Sequence, residues 1–208
     1  MNFGADLLFD WHYGTDTRRW VPRDKIQTAS ENLADSQPYK ATRSRPLLQL
    51  LRKLQLPRES NFVDIGAGKG RVVLIAAQYG FRKVVGVEFS AALCAIAREN
   101  VKSFSAKKSG LSPMEIVEAD ATLHHLTADD CILFMYNPFH EGVMKKFMDN
   151  VQRSLQENPR KLWLIYNDPL HHPVISKSGI FREHHEYWVG GTEFRVYATS
   201  ASLENDQS

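Results

Sequence analysis

The segment from Asn61 to Gly70 (NFVDIGAGKG) restricts this chain more than any other. A short apolar run, Asn61 to Ile65, reads as a strand. Glycines follow at 66, 68 and 70, and an apolar helix reads from about Lys69 to Gln78. Glycine admits left-handed backbone and close approach to a ligand. The first N–H groups of a helix have no partner within it, so a strand that becomes a helix through such a loop presents free donors to a cleft. The fold must therefore place a strand's carboxyl end, a tight loop and a helix N-terminus around one ligand.

The flanking pattern repeats strand and helix. A helix reads from about Arg45 to Leu54, with Pro46 in its first turn. Leu47, Leu50, Leu51 and Leu54 form its apolar stripe, and Pro57 stops it. Lys83 to Glu88 reads as a strand, and Ser90 caps a helix to about Lys102. Met114 to Glu118, Cys131 to Tyr136 and Lys161 to Tyr166 read as further strands. Glu141 to Leu155 is helical, with Val143, Phe147, Val151 and Leu155 on one stripe. Phe181 to Val189 and Thr192 to Thr199 flank Gly190-Gly191 as a tight hairpin. Such alternation packs as a parallel sheet with helices on both faces. The first forty residues show no sustained periodicity but carry Trp11, Tyr13, Trp20 and Tyr39. They read as an extension over 1–44, either a lid or a fixed brace, ahead of one domain over 45–200 and a frayed tail over 201–208.

Charge narrows the function classes. Lys and Arg number 26 against 24 Asp and Glu, a net charge of +2. That is not the basic excess of a dedicated nucleic-acid binder. The two cysteines, Cys94 and Cys131, sit in apolar runs and make no disulfide framework, which suits a reducing compartment. No apolar run has bilayer length and the start is unlike a signal peptide, so the expected location is cytoplasmic, without membrane partners.

The glycine spacing separates families. The dinucleotide fingerprint needs Gly-x-Gly-x-x-Gly, but position 71 is Arg. The Walker loop needs Ser or Thr after its lysine, but Gly70 follows Lys69. An acid, Asp64, two residues before Gly-x-Gly-x-Gly resembles the first motif of class I S-adenosylmethionine-dependent methyltransferases. The resemblance covers about Arg45 to Thr199. It implies a Rossmann-like, three-layer α/β sandwich whose mostly parallel seven-stranded sheet closes with an antiparallel hairpin. It also implies S-adenosylmethionine as cofactor and S-adenosylhomocysteine as product. Asp64, Gly66, Ala67, Gly68 and Gly70 are then loop residues of the cofactor site. Glu88, with Phe89 beside it, takes the ribose hydroxyls, and Asp120 and Ala121 take the adenine. Tyr39 and Thr42, just ahead of the first helix, reach towards the methionine end.

Tyr136-Asn137-Pro138-Phe139 ends the fourth strand and resembles the Asn/Asp-Pro-Pro-aromatic motif of amino-methylating enzymes, with one proline fewer. The resemblance implies catalytic roles for Asn137, Pro138 and Phe139, with the amide oxygen holding a substrate nitrogen. The glycine-loop helix and this motif are also partly similar to non-SET protein-lysine methyltransferases. The expected reaction is methylation of an amino or amide nitrogen, on a protein in preference to a nucleic acid because the charge is near neutral. An RNA or small-molecule acceptor, and a cofactor-binding subunit without activity, stay open. The pairs His124-His125, His171-His172 and His184-His185 do not have the convergence a metal needs, so none is expected. His140 is the histidine best placed in sequence to accept a proton. Arg43, Arg45, Arg52, Lys53 and Arg58 read as a solvated face or as a guide for an acidic protein or RNA.

Overall fold

The computed structural model describes residues 3–19, 21 and 40–200. Seven strands form one sheet: β1 (Asn61–Ile65), β2 (Lys83–Glu88), β3 (Met114–Glu118), β4 (Asp130–Tyr136), β5 (Trp163–Asn167), β6 (Glu183–Val189) and β7 (Thr192–Ala198). Their spatial order is β3-β2-β1-β4-β5-β7-β6. The first five are parallel, and β7 runs antiparallel to both β5 and β6. The chain thus forms the expected sandwich with its terminal hairpin. The order reverses between β1 and β4, and open α/β sheets bind ligands outside the carboxyl ends of the strands at that switch point.

The strands alternate side chains between two apolar layers. Phe62, Val84, Ile132, Phe134 and Ile165 enter one layer, with α2 (Ser44–Leu54), α3 (Arg71–Tyr79) and α4 (Ala91–Lys107). Val63, Val85, Leu133, Leu164 and Tyr166 enter the other, with α5 (Glu141–Glu157) and α6 (His172–Lys177). The leucine stripe of α2 is buried as its spacing requires, with Leu47, Leu50 and Leu51 wholly inside. Ser90 accepts from the Leu93 N–H and so caps α4.

Two elements depart from the sequence reading. The segment read as irregular contains a helix, α1 (Phe3–Tyr13). Its Phe9 and Tyr13 rings pack on Phe104 of α4, with centroids 5.9 and 4.4 Å apart. Tertiary contact outweighs the missing periodicity there. The six-residue α6 is too short to leave a periodic signal and follows β5 with Pro173 in its first turn. Trp20, Tyr39 and the tail over 201–208 lie outside the described residues.

Gly86 in β2 shows how tightly α3 seats on the sheet. A Cβ there would lie 2.8 Å from Val73 Cγ2, 2.9 Å from Ala67 Cβ and 3.0 Å from Ile116 Cδ1. Gly86→Val is therefore expected to overpack this layer and cost about 1–3 kcal/mol. A fall in the urea midpoint at unchanged slope checks it.

Candidate active site

A cleft of about 880 Å³, mouth included, opens at the carboxyl ends of the parallel strands. That is within the usual range for small-molecule sites. Asp64, Gly66, Ala67 and Gly68 line it from β1 and the glycine loop. Glu88 and Phe89 line it from β2, and Asp120 and Ala121 from the loop after β3. Thr42 joins from the chain ahead of α2, and Pro138 and Phe139 from the end of β4. Gly70 stands behind the wall, where it begins α3. Tyr39 lies outside the described residues.

The loop is drawn tight against the switch point. Gly66 has φ +75°, and a Cβ on it would meet Pro138 Cβ at 2.7 Å. The loop after β1 and the motif after β4 are thus in direct contact, so both face one ligand. Glu88, only 4% exposed, fastens the loop from the other side. Its Oε2 accepts the Gly68 N–H at 2.8 Å and its Oε1 the Ser90 N–H at 2.9 Å. Burial pushes its carboxyl up to about 7, although the Ser90 and Gly68 N–H bonds pull the other way. Asp64 is also buried, and desolvation with the neighbouring Glu88 charge raises it well above the usual carboxylate range. Asp64 Oδ2 has no hydrogen-bond partner among the described residues, and its side chain lies in the cavity wall. A buried polar atom without a partner is costly, so this oxygen suits a donor brought by a ligand.

Asp120 is shaped locally. Its Oδ1 accepts from the Thr122 N–H at 2.8 Å and from the Thr122 hydroxyl at 2.7 Å, which fixes the turn after β3. Asn137 adopts φ +40° and its side chain turns away from the cavity. Its amide oxygen accepts the Tyr166 hydroxyl at 2.8 Å, and that hydroxyl accepts the His171 N–H at 3.3 Å. Beside Pro138 and Phe139, β4 itself puts Phe134 and Tyr136 in the wall, and the Lys40 ammonium lies 5.5 Å from the Tyr136 ring centre. Its hydrogen bond and charge raise the Lys40 pKa. His140 is exposed and does not line the cleft. Among the described residues, His, Cys, Asp and Glu side chains gather into no metal-holding group.

Sequence reasoning missed two buried cations at the loop, Lys69 and Arg71. Arg71 also lines the cavity. The signal was present: cations in the first turn of a helix face the positive end of its dipole. Such a pair requires acids, and α1 with the turn that follows it brings them. Asp16 meets Lys69 at 2.9 Å and Asp10 meets Arg71 at 3.3 Å. The Arg71 Nε donates to Thr17 at 2.7 Å, and Asn100 of α4 clasps both Asp16 and Lys69 through their backbone.

A doubly wound sheet with a buried acid at the end of β2 and a glycine loop at its switch point is the arrangement on which nucleotide-type ligands bind in open α/β folds. Comparison with known proteins identifies it further. Residues 62–158 match the family model described as a methyltransferase domain. Over 64 residues the chain is 39% identical to a trans-aconitate 2-methyltransferase of Variovorax paradoxus (strain S110). That match takes in 30% of this chain and spans about a quarter (25%) of the relative's length. A SAM-dependent methyltransferase of Aquifex aeolicus superposes with a TM-score of 0.59 at 17% identity, over 74% of this chain and 88% of that one. An RNA methyltransferase of Salinibacter ruber in complex with S-adenosyl-L-homocysteine gives a TM-score of 0.54 at 17% identity, over 81% and 98%. The chain shares the fold of these solved methyltransferases, and the methyltransferase-domain match takes in residues 62–158, a little under half of it. Among the described residues, no helix is long and apolar enough to cross a membrane.

Glu88 is expected to titrate near pH 7 in the ligand-free protein. Because its folded pKa is raised, the stability it contributes is full below its unfolded value of about 4.3 and is lost as pH rises through about 7. Carbon-detected NMR of the side-chain carboxyl reads this, and a midpoint between 4 and 5 would contradict the desolvated site.

Proposed function

We propose that this chain binds S-adenosylmethionine in the cleft and catalyses methyl transfer to an acceptor lodged against Tyr136, Pro138 and Phe139. The observation that carries the reading is the buried acid pair in the cavity wall. Asp64 presents an oxygen without a partner among the described residues, and Glu88 holds the loop through Gly68 and the turn into α4 through Ser90. Carboxylate oxygens accept several bonds, so Glu88 has capacity for two ribose hydroxyls, and Asp64 suits the cofactor's ammonium. Asp120 and Ala121 form the adenine end.

S-adenosylmethionine supplies a sulfonium-bound methyl, which an acceptor's lone pair displaces in line while the sulfur keeps the electrons of the broken bond. The protein's part is to position and to exclude water. Pro138 and Phe139 close the wall beside Gly66, so they bear on the transferred methyl. Asn137, locked by Tyr166, fixes the backbone that carries them.

The acceptor we favour is an amino or amide nitrogen of a protein, supported by the near-neutral net charge and by the place of Pro138 and Phe139 in the wall, with the Asn137 amide oxygen given to Tyr166 and not to the substrate. A second reading has its own observation. The Lys40 ammonium over Tyr136 at the cavity wall suits an acidic small-molecule acceptor.

Calorimetric titration should show S-adenosylmethionine binding that weakens about tenfold or more in Glu88→Ala, through lost ribose hydrogen bonds. Wild-type affinity should rise from pH 6 to pH 8, as the Glu88 carboxylate forms. A folded wild-type chain that binds no cofactor would remove the proposal. In lysate labelled through the cofactor's methyl, Asn137→Ala should lower transfer at least tenfold with cofactor affinity changed less than about threefold. Label in protein supports the nitrogen reading, and label in small acids, lost in Lys40→Ala, supports the second.

A further inference from the structure

We infer that Arg71 is the carboxylate receptor of the cofactor site, held in place by the strap that runs from Asp10 to Thr17. This rests on the proposed cofactor. S-adenosylmethionine carries a single anionic group, the carboxylate at its methionine end. Two cations line the cavity among the described residues, Lys40 and Arg71. Lys40 is exposed and sits over Tyr136, whereas Arg71 is 2% exposed and lies on the first turn of α3, directly after the glycine loop. Glu88 and Asp120 mark the ribose and adenine ends across β2 and β3. The loop side of the cleft, with Thr42 and Arg71, is left for the methionine end.

A guanidinium spreads five donors over a planar fork, so it can meet the strap and a carboxylate together. The strap engages it through Thr17 at Nε and Asp10 at one terminal nitrogen. The Asp10 charge is shared among several donors. Its Oδ1 accepts the hydroxyls of Thr15 at 2.7 Å and Thr17 at 2.6 Å, and the Thr17 N–H reaches both oxygens at 3.2 Å. Lys69, paired with Asp16, holds the strap's far end on the same loop. Phe9 closes the other side, its ring 5.4 Å from the guanidinium carbon. The strap therefore fixes the orientation of a side chain that it shares with the cavity. It is a positioning element, and Arg71 is the group that touches the cofactor.

The test compares binding of S-adenosylmethionine with its decarboxylated form, which keeps the adenosine, sulfonium and ammonium and lacks only the carboxylate. By calorimetry, the wild type should prefer S-adenosylmethionine by about ten- to hundredfold, as a buried charge-assisted pair requires. Arg71→Met should bring that ratio near one, chiefly by weakening S-adenosylmethionine, and Lys40→Ala should leave it. Asp10→Asn, which keeps the guanidinium but loosens the strap, should narrow the ratio. It also provides the reading if Arg71→Met does not fold. A wild-type ratio near one, equal weakening of both ligands in Arg71→Met, or an unchanged ratio in Asp10→Asn overturns the inference while leaving cofactor binding intact. A wild type that binds neither ligand removes the cofactor reading as well.

Discussion

The carboxylate of Glu88 joins the parts on which the cleft depends. It stands at the end of β2, buried, and its two oxygens take backbone N–H groups from the glycine loop and from the cap of α4. The Gly68 bond ties the loop after β1 to the end of β2, and the Ser90 bond, two residues on, fixes the turn into α4. The Gly68 bond adds to the backbone bonds from the Gly66 and Ala67 N–H groups to the Val87 carbonyl, which seat the start of the loop on β2. The same burial raises the Glu88 pKa, because desolvation disfavours the charged form.

A second constraint acts on the loop from outside the sandwich. Two cations at the N-terminus of α3 lie at the unfavourable end of the helix dipole and are removed from water. Asp10, Asp16 and Thr17 offset that cost with ion pairs and a hydrogen bond. The end of α1 and the turn after it therefore belong to the loop's electrostatics, although they lie more than fifty residues away in sequence. The aromatic stack of Phe9 and Tyr13 on Phe104 anchors that segment to α4, so apolar packing sets the position and ion pairing sets the orientation.

Much of the architecture was legible because the central strands β1, β2, β4 and β5 are short, largely apolar runs bounded by turn residues. Met114 to Glu118 agrees with β3 at both ends, and Lys83 to Glu88 with β2. Parallel strands buried on both faces need such runs. The helix α1 was not legible, because its sequence has no clear stripe and its partner, Phe104, is remote. The acids and glycines around the cleft were legible through their spacing from strand ends. The direction of Asn137 was not, because it depends on Tyr166 from the neighbouring strand and on a left-handed backbone that an Asn-Pro pair does not announce.

The sequence by itself determined the sheet, the glycine loop and the acids that follow β1, β2 and β3, since these arise from local periodicity and from residues a few positions apart. Only the tertiary structure decided which side chains face the ligand. It turned Asn137 towards Tyr166 and brought Arg71 into the wall, because both orientations are set by hydrogen bonds to residues 29 and 54 positions distant. No local spacing encodes those pairs. They exist only once packing has brought the strap and the ends of β4 and β5 together.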